Sequence, residues 1–167
     1  MEHLYGWSWH PEERLVIDEL SEDQARAAFD QGPQLGVVAL PEPGAVPAYV
    51  LEISAGAEDV RVTQYTPEGS VAATIDYTVV DGRLFLEQVG EWLYPDDGAY
   101  HPMGDAQAFR QYFFKPRGRV KVKSRLAGAA AETVEEFTDV DVSDHWVDPL
   151  AWGDWDRIGL HRPSGPA

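Results

Sequence analysis

The sequence contains no cysteine, so disulfide bonds, thiolate zinc sites and cysteine nucleophiles are all excluded. It also lacks asparagine and has three lysines against ten arginines, a bias typical of a GC-rich bacterial genome. No apolar run approaches the roughly 20 residues of a membrane span. The first residues, MEHLYGWSWHPEER, lack the basic and apolar regions of a signal peptide. We therefore expect a soluble cytoplasmic protein without a membrane partner.

Basic residues are scarce in this chain. The chain has 29 acidic and 13 basic side chains, a formal charge of −16, and all three lysines lie in KPRGRVKVKSR, residues 115–125. Outside that strip, 29 acids face seven bases, a charge of −22. Such a surface repels nucleic acid and anionic membranes and speeds encounter with a basic partner. A requirement for solubility alone would also explain the excess of acidic residues. We expect no nucleic-acid partner.

The length and the apolar content predict a chain that folds by itself. The 167 residues are 44% hydrophobic and 11% aromatic, enough to bury a core and too few to require a second domain. We expect a single globular domain at 1–162. The last residues, 163–167, are predicted to form a frayed tail.

Turn residues divide the chain into short apolar segments typical of strands. One helix is predicted at about residues 21–31, with Ser21 as its cap, acids in its first turn and Gly32 after its end. Asp81-Gly82, between two apolar runs, is the strongest hairpin signal. The fold class is therefore α+β, with a predominantly antiparallel, curled or barrel-like sheet of seven to nine strands and one main helix. The predicted strands are 3–9, 14–20, 34–40, 48–54, 59–66, 70–80 and 83–94.

The basic strip alternates with apolar residues, a period that places its charges on one face of a strand. A short helix is predicted to start in 105–114, just before the strip. After it, LAGAAA leads into ETVEEFTDVDV, so we expect an antiparallel hairpin that brings Lys121 and Lys123 within reach of the acids in 132–141. The alternative, a phosphate site, lacks a glycine-rich loop before a helix.

Aromatic and acidic residues are mixed in GEWLYPDDGAY, residues 90–100. As a loop after a hairpin, this segment would present aromatic anchors surrounded by carboxylates, a composition that suits a basic protein partner or a cationic small molecule. Four of the six tryptophans are expected in the core, and Trp7 and Trp9 are expected to point to one face of a strand. The predicted partner-binding residues are Glu91, Trp92, Tyr94, Asp96, Asp97 and Tyr100.

A second hypothesis is a small-molecule site or an enzyme with a pocket in the curled sheet. A histidine held by a carboxylate is the minimum of a general base. The sequence contains no Gly-x-Ser-x-Gly, His-Glu-x-x-His or Gly-x-Gly-x-x-Gly motif, and DVDVSDHWVDPL lacks the glycine of a calcium loop. We therefore predict no catalytic residue, no metal site and no cofactor. The candidate pocket residues are His101, Asp144, His145 and Asp148.

Three functions remain open from sequence. The first is an acidic binding protein that neutralises or escorts a basic protein, as immunity and inhibitor proteins do. The second is the small-molecule module or enzyme, and the third is an accessory domain without a site of its own. Whether the protein is an enzyme stays undecided, with the balance against it.

Overall fold

A ten-stranded antiparallel sheet organises the chain. The structure is a computed structural model that describes residues 1–162, and the predicted tail at 163–167 lies outside the described residues. Hydrogen-bonded neighbours in the main sheet follow the order β1-β4-β5-β6-β7-β8-β9-β10-β11, and β12 pairs with the start of β8. The strands are β1 (Glu2–Gly6), β2 (Ser8–His10), β3 (Leu15–Ile17), β4 (Gln34–Leu40), β5 (Tyr49–Ser54), β6 (Asp59–Tyr65), β7 (Val71–Val80), β8 (Arg83–Leu93), β9 (Ala108–Phe114), β10 (Val120–Arg125), β11 (Thr133–Phe137) and β12 (Trp146–Val147).

This architecture confirms the α+β class with a mostly antiparallel sheet and one main helix. The sheet is larger than predicted and is not closed, so a barrel is not confirmed. Its edges are β1 and β11, while β2 and β3 form a separate two-stranded sheet. The strand expected at 3–9 is divided at Trp7 into β1 and β2.

Local signals placed the main helix correctly. Helix α1 spans Glu22–Gln31, and the Ser21 side chain accepts a hydrogen bond from the backbone N–H of Gln24. The Gln24 side chain in turn accepts from the Ser21 N–H at 2.9 Å, which completes a capping box. The Gly32 N–H closes the last turn on Ala28. A second helix, α2 (Trp155–Gly159), is short.

The prediction of a helix that starts in 105–114 is wrong. A 3-10 turn occupies Met103–Asp105, and the segment that follows is strand β9, paired with β8 on one side and β10 on the other. The aromatic-rich sequence AFRQYFF suits a strand, and pairing on both sides outweighs weak helix propensity. The Asp81-Gly82 hairpin is confirmed, with φ of 51° and 79° at the two turn residues.

The main core lies between one face of the sheet and the two helices. It includes Leu35, Val37, Leu51 and Val62 from the strands and Trp155 from α2. A smaller apolar cluster, formed by Trp9, Val38, Leu40 and Val50, lies on the opposite face of β4 and β5, under the β2–β3 hairpin. None of the helices in residues 1–162 is both long enough and apolar enough to cross a membrane.

Four of the six tryptophans belong to the core or pack against it, as expected: Trp9 and Trp155 are buried, and Trp146 and Trp152 are partly buried against the main core. The prediction for Trp7 needs correction. Trp7 and Trp9 do not share a strand face, because the chain bends at Trp7, whose side chain is 47% exposed. The backbone at this bend lies close to β4, since a Cβ on Gly36 would lie 2.6 Å from the carbonyl oxygen of Trp7.

A hydrogen-bonded cluster ties α2 to the sheet. The Tyr49 hydroxyl of β5 donates to Asp156 Oδ1 of α2 at 2.5 Å, and His3 Nε2 of β1 lies 3.0 Å from the Tyr49 oxygen and 3.3 Å from that carboxylate. The bond from Tyr49 lowers the pKa of Asp156. Burial, followed by the carboxylate, raises the pKa of Tyr49.

Tyr49→Phe is expected to lower the free energy of unfolding by about 1 kcal/mol at neutral pH, since it removes a hydrogen bond to a charged but partly exposed group. Because folding depresses the pKa of Asp156, the stabilisation is present above the ordinary aspartate pKa and is lost as pH falls through the folded value. Urea unfolding at pH 7 and at about pH 3 measures this. Tyr5→Phe, which keeps the stack on Trp152, is the control; a pH-independent loss would contradict the assignment.

Candidate functional site

Tyr94 anchors the loop that follows β8. Its hydroxyl donates to the carbonyl oxygen of Val71 at 2.9 Å, and its ring stacks on His101 with centroids 6.0 Å apart. Burial raises the pKa of Tyr94 to about 12. Because both its polar end and one ring face are used within the protein, Tyr94 holds the loop against the start of β7.

Asp97 and His101 brace the same loop. His101 Nε2 lies 2.9 Å from Asp97 Oδ1, and the same carboxylate oxygen accepts the Ala99 N–H at 3.0 Å. The bond with His101 is the main cause that lowers the pKa of Asp97. The His101 N–H donates to Ser70 Oγ at 2.7 Å. The histidine predicted for a pocket therefore serves as a loop anchor, and Asp97 remains exposed.

Tyr100 borders a surface groove built from three turns. The groove has a volume of about 540 Å³, and we call it the acidic groove; it is lined by Pro11, Glu12, Arg14, Pro67, Glu68, Gly98 and Tyr100. Glu12 is exposed, and Glu68 and Tyr100 are half-buried. Asp96 and Asp97, both exposed, immediately precede Gly98 in the loop.

Packing beneath the acidic groove holds two of its turns together. Gly69 has a φ of +98°, and a Cβ there would lie 3.6 Å from the carbonyl oxygen of Pro11 and 3.7 Å from the Trp9 ring. Trp9 packs edge-on against Tyr65 with centroids 4.8 Å apart. The turn at 67–69 is thus fixed against the turn at 11–14 through the smaller apolar cluster.

The six predicted partner-binding residues do not form one patch. Glu91 and Trp92 are consecutive in β8, so their side chains lie on opposite faces of the sheet. Glu91 is opposite Arg110 in the register, whereas the Trp92 ring covers Gly90, where a Cβ would lie 2.4 Å from it. The other four residues, Tyr94, Asp96, Asp97 and Tyr100, belong to the loop.

The hairpin predicted for the basic strip is confirmed. Strand β10 pairs antiparallel with β11, and Lys121 lies opposite Glu136 in the register, although Glu136 forms its ion pair with Arg119 and not with Lys121. Lys123 Nζ lies 2.9 Å from Glu132 Oε2, and Arg119 lies 3.2 Å from Glu136 Oε2. Both pairs are exposed, and such pairs contribute up to about 1 kcal/mol each. Glu132 and Glu136 therefore balance part of the positive charge of the basic strip.

The residues predicted to line a pocket, His145, Asp144 and Asp148, make packing contacts and ion pairs within the protein. His145 is fully buried; its ring centroid lies 4.3 Å from that of Phe114 and 6.1 Å from that of Phe85. Its Nε2 lies 3.6 Å from Asp144 Oδ1. Asp148 lies 3.9 Å from Arg83 Nε. The structure therefore places the buried His145 beside the exposed Asp144, while His101 is bound within the loop after β8.

No metal centre is formed by the described residues, since no three His, Asp or Glu side chains in 1–162 converge closely enough to hold an ion. The nearby Asp141 carboxylate accepts the Ser143 N–H at 2.9 Å, and this bond lowers its pKa. The acids of DVDVSDHWVDPL thus include one that caps a turn.

The sequence prediction missed the acidic groove, because its residues come from three turns far apart in the chain. Two of these turns contain the dipeptide Pro-Glu, at 11–12 and 67–68, but the same dipeptide at 41–42 lies outside the groove, so the sequence offered no specific signal. Comparisons of the chain with protein-family models, with curated proteins and with solved structures gave no match.

Proposed function

We propose that this protein binds a basic protein partner and that the acidic groove receives a basic side chain of that partner. The observation that supports the proposal is the groove itself, in which Glu12 and Glu68 outnumber the one cation of the lining, Arg14, and accompany the ring of Tyr100 in a volume of about 540 Å³. An arginine of the partner would stack its guanidinium on Tyr100 and donate to the carboxylates.

Long-range charge assists this binding. A net charge of −16 attracts a basic protein before contact and raises the association rate, an effect that salt screens. Asp96 and Asp97 extend the negative surface beside the acidic groove. The activity is of the kind that immunity and inhibitor proteins perform, and a cytoplasmic location belongs to the same proposal.

Tyr100 is the aromatic anchor in this proposal. Tyr94 is hydrogen-bonded to Val71 and stacked on His101, and Trp92 lies over Gly90 on the outer face of β8. Tyr100 lines the groove and remains half-buried, so its ring is available to a partner. Binding energy therefore concentrates on Tyr100, while Asp96 and Asp97 act mainly on the association rate.

Calorimetric titration with a short arginine-rich peptide at low salt tests the proposal. Glu12→Lys combined with Glu68→Lys is expected to raise Kd at least about tenfold, and Tyr100→Ala to raise it about 30-fold. The matched control combines Glu19→Lys with Glu42→Lys, which changes the net charge equally at exposed positions outside the groove. Equal losses in the two charge-reversal variants would show attraction by net charge alone and would contradict a groove.

A further inference from the structure

The outer face of β9 and β10 combines aromatic and basic side chains. Cross-strand partners place Lys121 beside Phe113, Lys123 beside Gln111 and Arg125 beside Phe109, and the last row continues to Trp92 of β8. The alternate residues of β10 are buried in the other direction. We call this surface the basic face; it comprises Phe109, Gln111, Phe113, Lys115, Arg119, Lys121, Lys123 and Arg125.

Glu132 and Glu136 do not neutralise this face, which remains positive. Five cations meet two acids, because Glu132 pairs with Lys123 and Glu136 pairs with Arg119. Arg125 donates to the carbonyl oxygen of Ala106 at 3.0 Å and lies over the Phe109 ring. Within residues 1–162, Lys115 and Lys121 form no ion pair with a carboxylate. A concentration of uncompensated cations on a chain of charge −16 is not explained by solubility.

A groove of about 500 Å³ lies on the basic face. All three lysines of the protein line it, together with Phe113, Arg119 and Glu136. The Phe113 ring is half-buried, and most of the accessible lining is apolar, supplied by this ring and by the aliphatic parts of the basic side chains. The volume falls in the range of small-ligand sites. The lining suits a ligand with a flat apolar part and an anionic group.

We propose that this groove binds a small phosphate-bearing molecule with a planar ring, of the size of a nucleoside diphosphate. The ring packs on Phe113, and the phosphates lie between Lys115 and Lys121, the two cations of the groove lining that form no ion pair with a carboxylate among the described residues. Lys123 and Arg119 also line the groove, and each of them is paired with a glutamate.

The charge of the whole molecule limits the length of the ligand. Electrostatic interactions are screened over about 8 Å at physiological salt, so a small anion within the groove experiences mainly the local cations. A longer polyanion extends over the surface that carries the remaining charge of −22 and is repelled there. The basic face therefore favours a mononucleotide-sized anion over a nucleic acid strand.

Calorimetry with ADP, adenosine, pyrophosphate and a single-stranded oligonucleotide tests this proposal. ADP is expected to bind at least about tenfold more tightly than adenosine or pyrophosphate, because each fragment loses one type of contact. Lys115→Gln combined with Lys121→Gln should weaken ADP binding about tenfold or more. Arg83→Gln, which removes an exposed cation outside the groove, should leave ADP binding unchanged.

A second variant separates the ring contact from charge. Phe113→Leu is expected to weaken ADP binding severalfold and to leave pyrophosphate binding unchanged. Circular dichroism of each variant confirms that the hairpin is folded. Equal affinity for ADP and pyrophosphate, tighter binding of the oligonucleotide than of ADP, or no ADP binding at millimolar concentration would each overturn the proposal.

Discussion

Trp155→Ala is expected to lower the free energy of unfolding by about 3–5 kcal/mol, the range for removing a large buried aromatic side chain. Trp155 is 1% exposed, and its ring packs edge-on against Trp152 and Phe29 with centroids 5.2 and 5.6 Å apart. Trp152 in turn stacks on Tyr5. The side chain thus connects α2, α1 and β1, and no single neighbour can fill the space it leaves.

Urea unfolding of Trp155→Ala beside Trp7→Ala measures this effect. Trp7 is 47% exposed, so its truncation is expected to cost about 1 kcal/mol or less. Both variants lose the same side chain, so the difference between their free energies of unfolding reports the effect of burial. Similar small losses at the two positions would contradict the placement of Trp155 at the centre of the core.

Gly118→Ala is expected to destabilise the protein by about 2–4 kcal/mol, through backbone strain and overpacking together. Gly118 has a φ of +76°, and an added Cβ would lie 2.4 Å from the carbonyl oxygen of Val140. Its own carbonyl oxygen accepts the Val140 N–H at 3.0 Å. The substitution therefore forces apart the β9–β10 turn and the segment that follows β11.

Gly128→Ala is a matched control for this prediction. Gly128 has a φ of +79° with nothing within 4 Å of an added Cβ, so its substitution introduces the backbone strain alone, at a cost of about 1 kcal/mol. Thermal or urea unfolding of both variants gives the difference. Equal losses in the free energy of unfolding for the two substitutions would contradict the close contact between Gly118 and Val140.

Elements determined by neighbouring residues were predictable from sequence. The cap of α1 depends on Ser21 and Gln24, and the β7–β8 turn depends on Asp81-Gly82, so each signal is contained within a few residues. The alternation in 119–125 also predicted the charged face of β10 and its pairing with β11. In contrast, β9 depends on the edges of β8 and β10, and local propensity favoured a helix at its start.

The two candidate sites differ in how much the sequence revealed. The cations of the basic face were predictable, because a period of two orders them within one strand. Their aromatic neighbour Phe113 became visible only through the register of β9 and β10. The acidic groove was hidden, since Glu12, Glu68 and Tyr100 meet through turns whose contact depends on the packing of Gly69 against Pro11 and Trp9.

Nuclear magnetic resonance mapping of the arginine-rich peptide on the isotope-labelled protein tests the proposed function most directly. If the acidic groove binds the peptide, the largest amide shifts occur at residues 12–14, 67–69 and 98–100, and they diminish as salt is raised. Residues 119–125 of the basic face should remain unchanged and serve as the internal reference. Shifts spread over all acidic surfaces, or centred away from the acidic groove, would contradict the account.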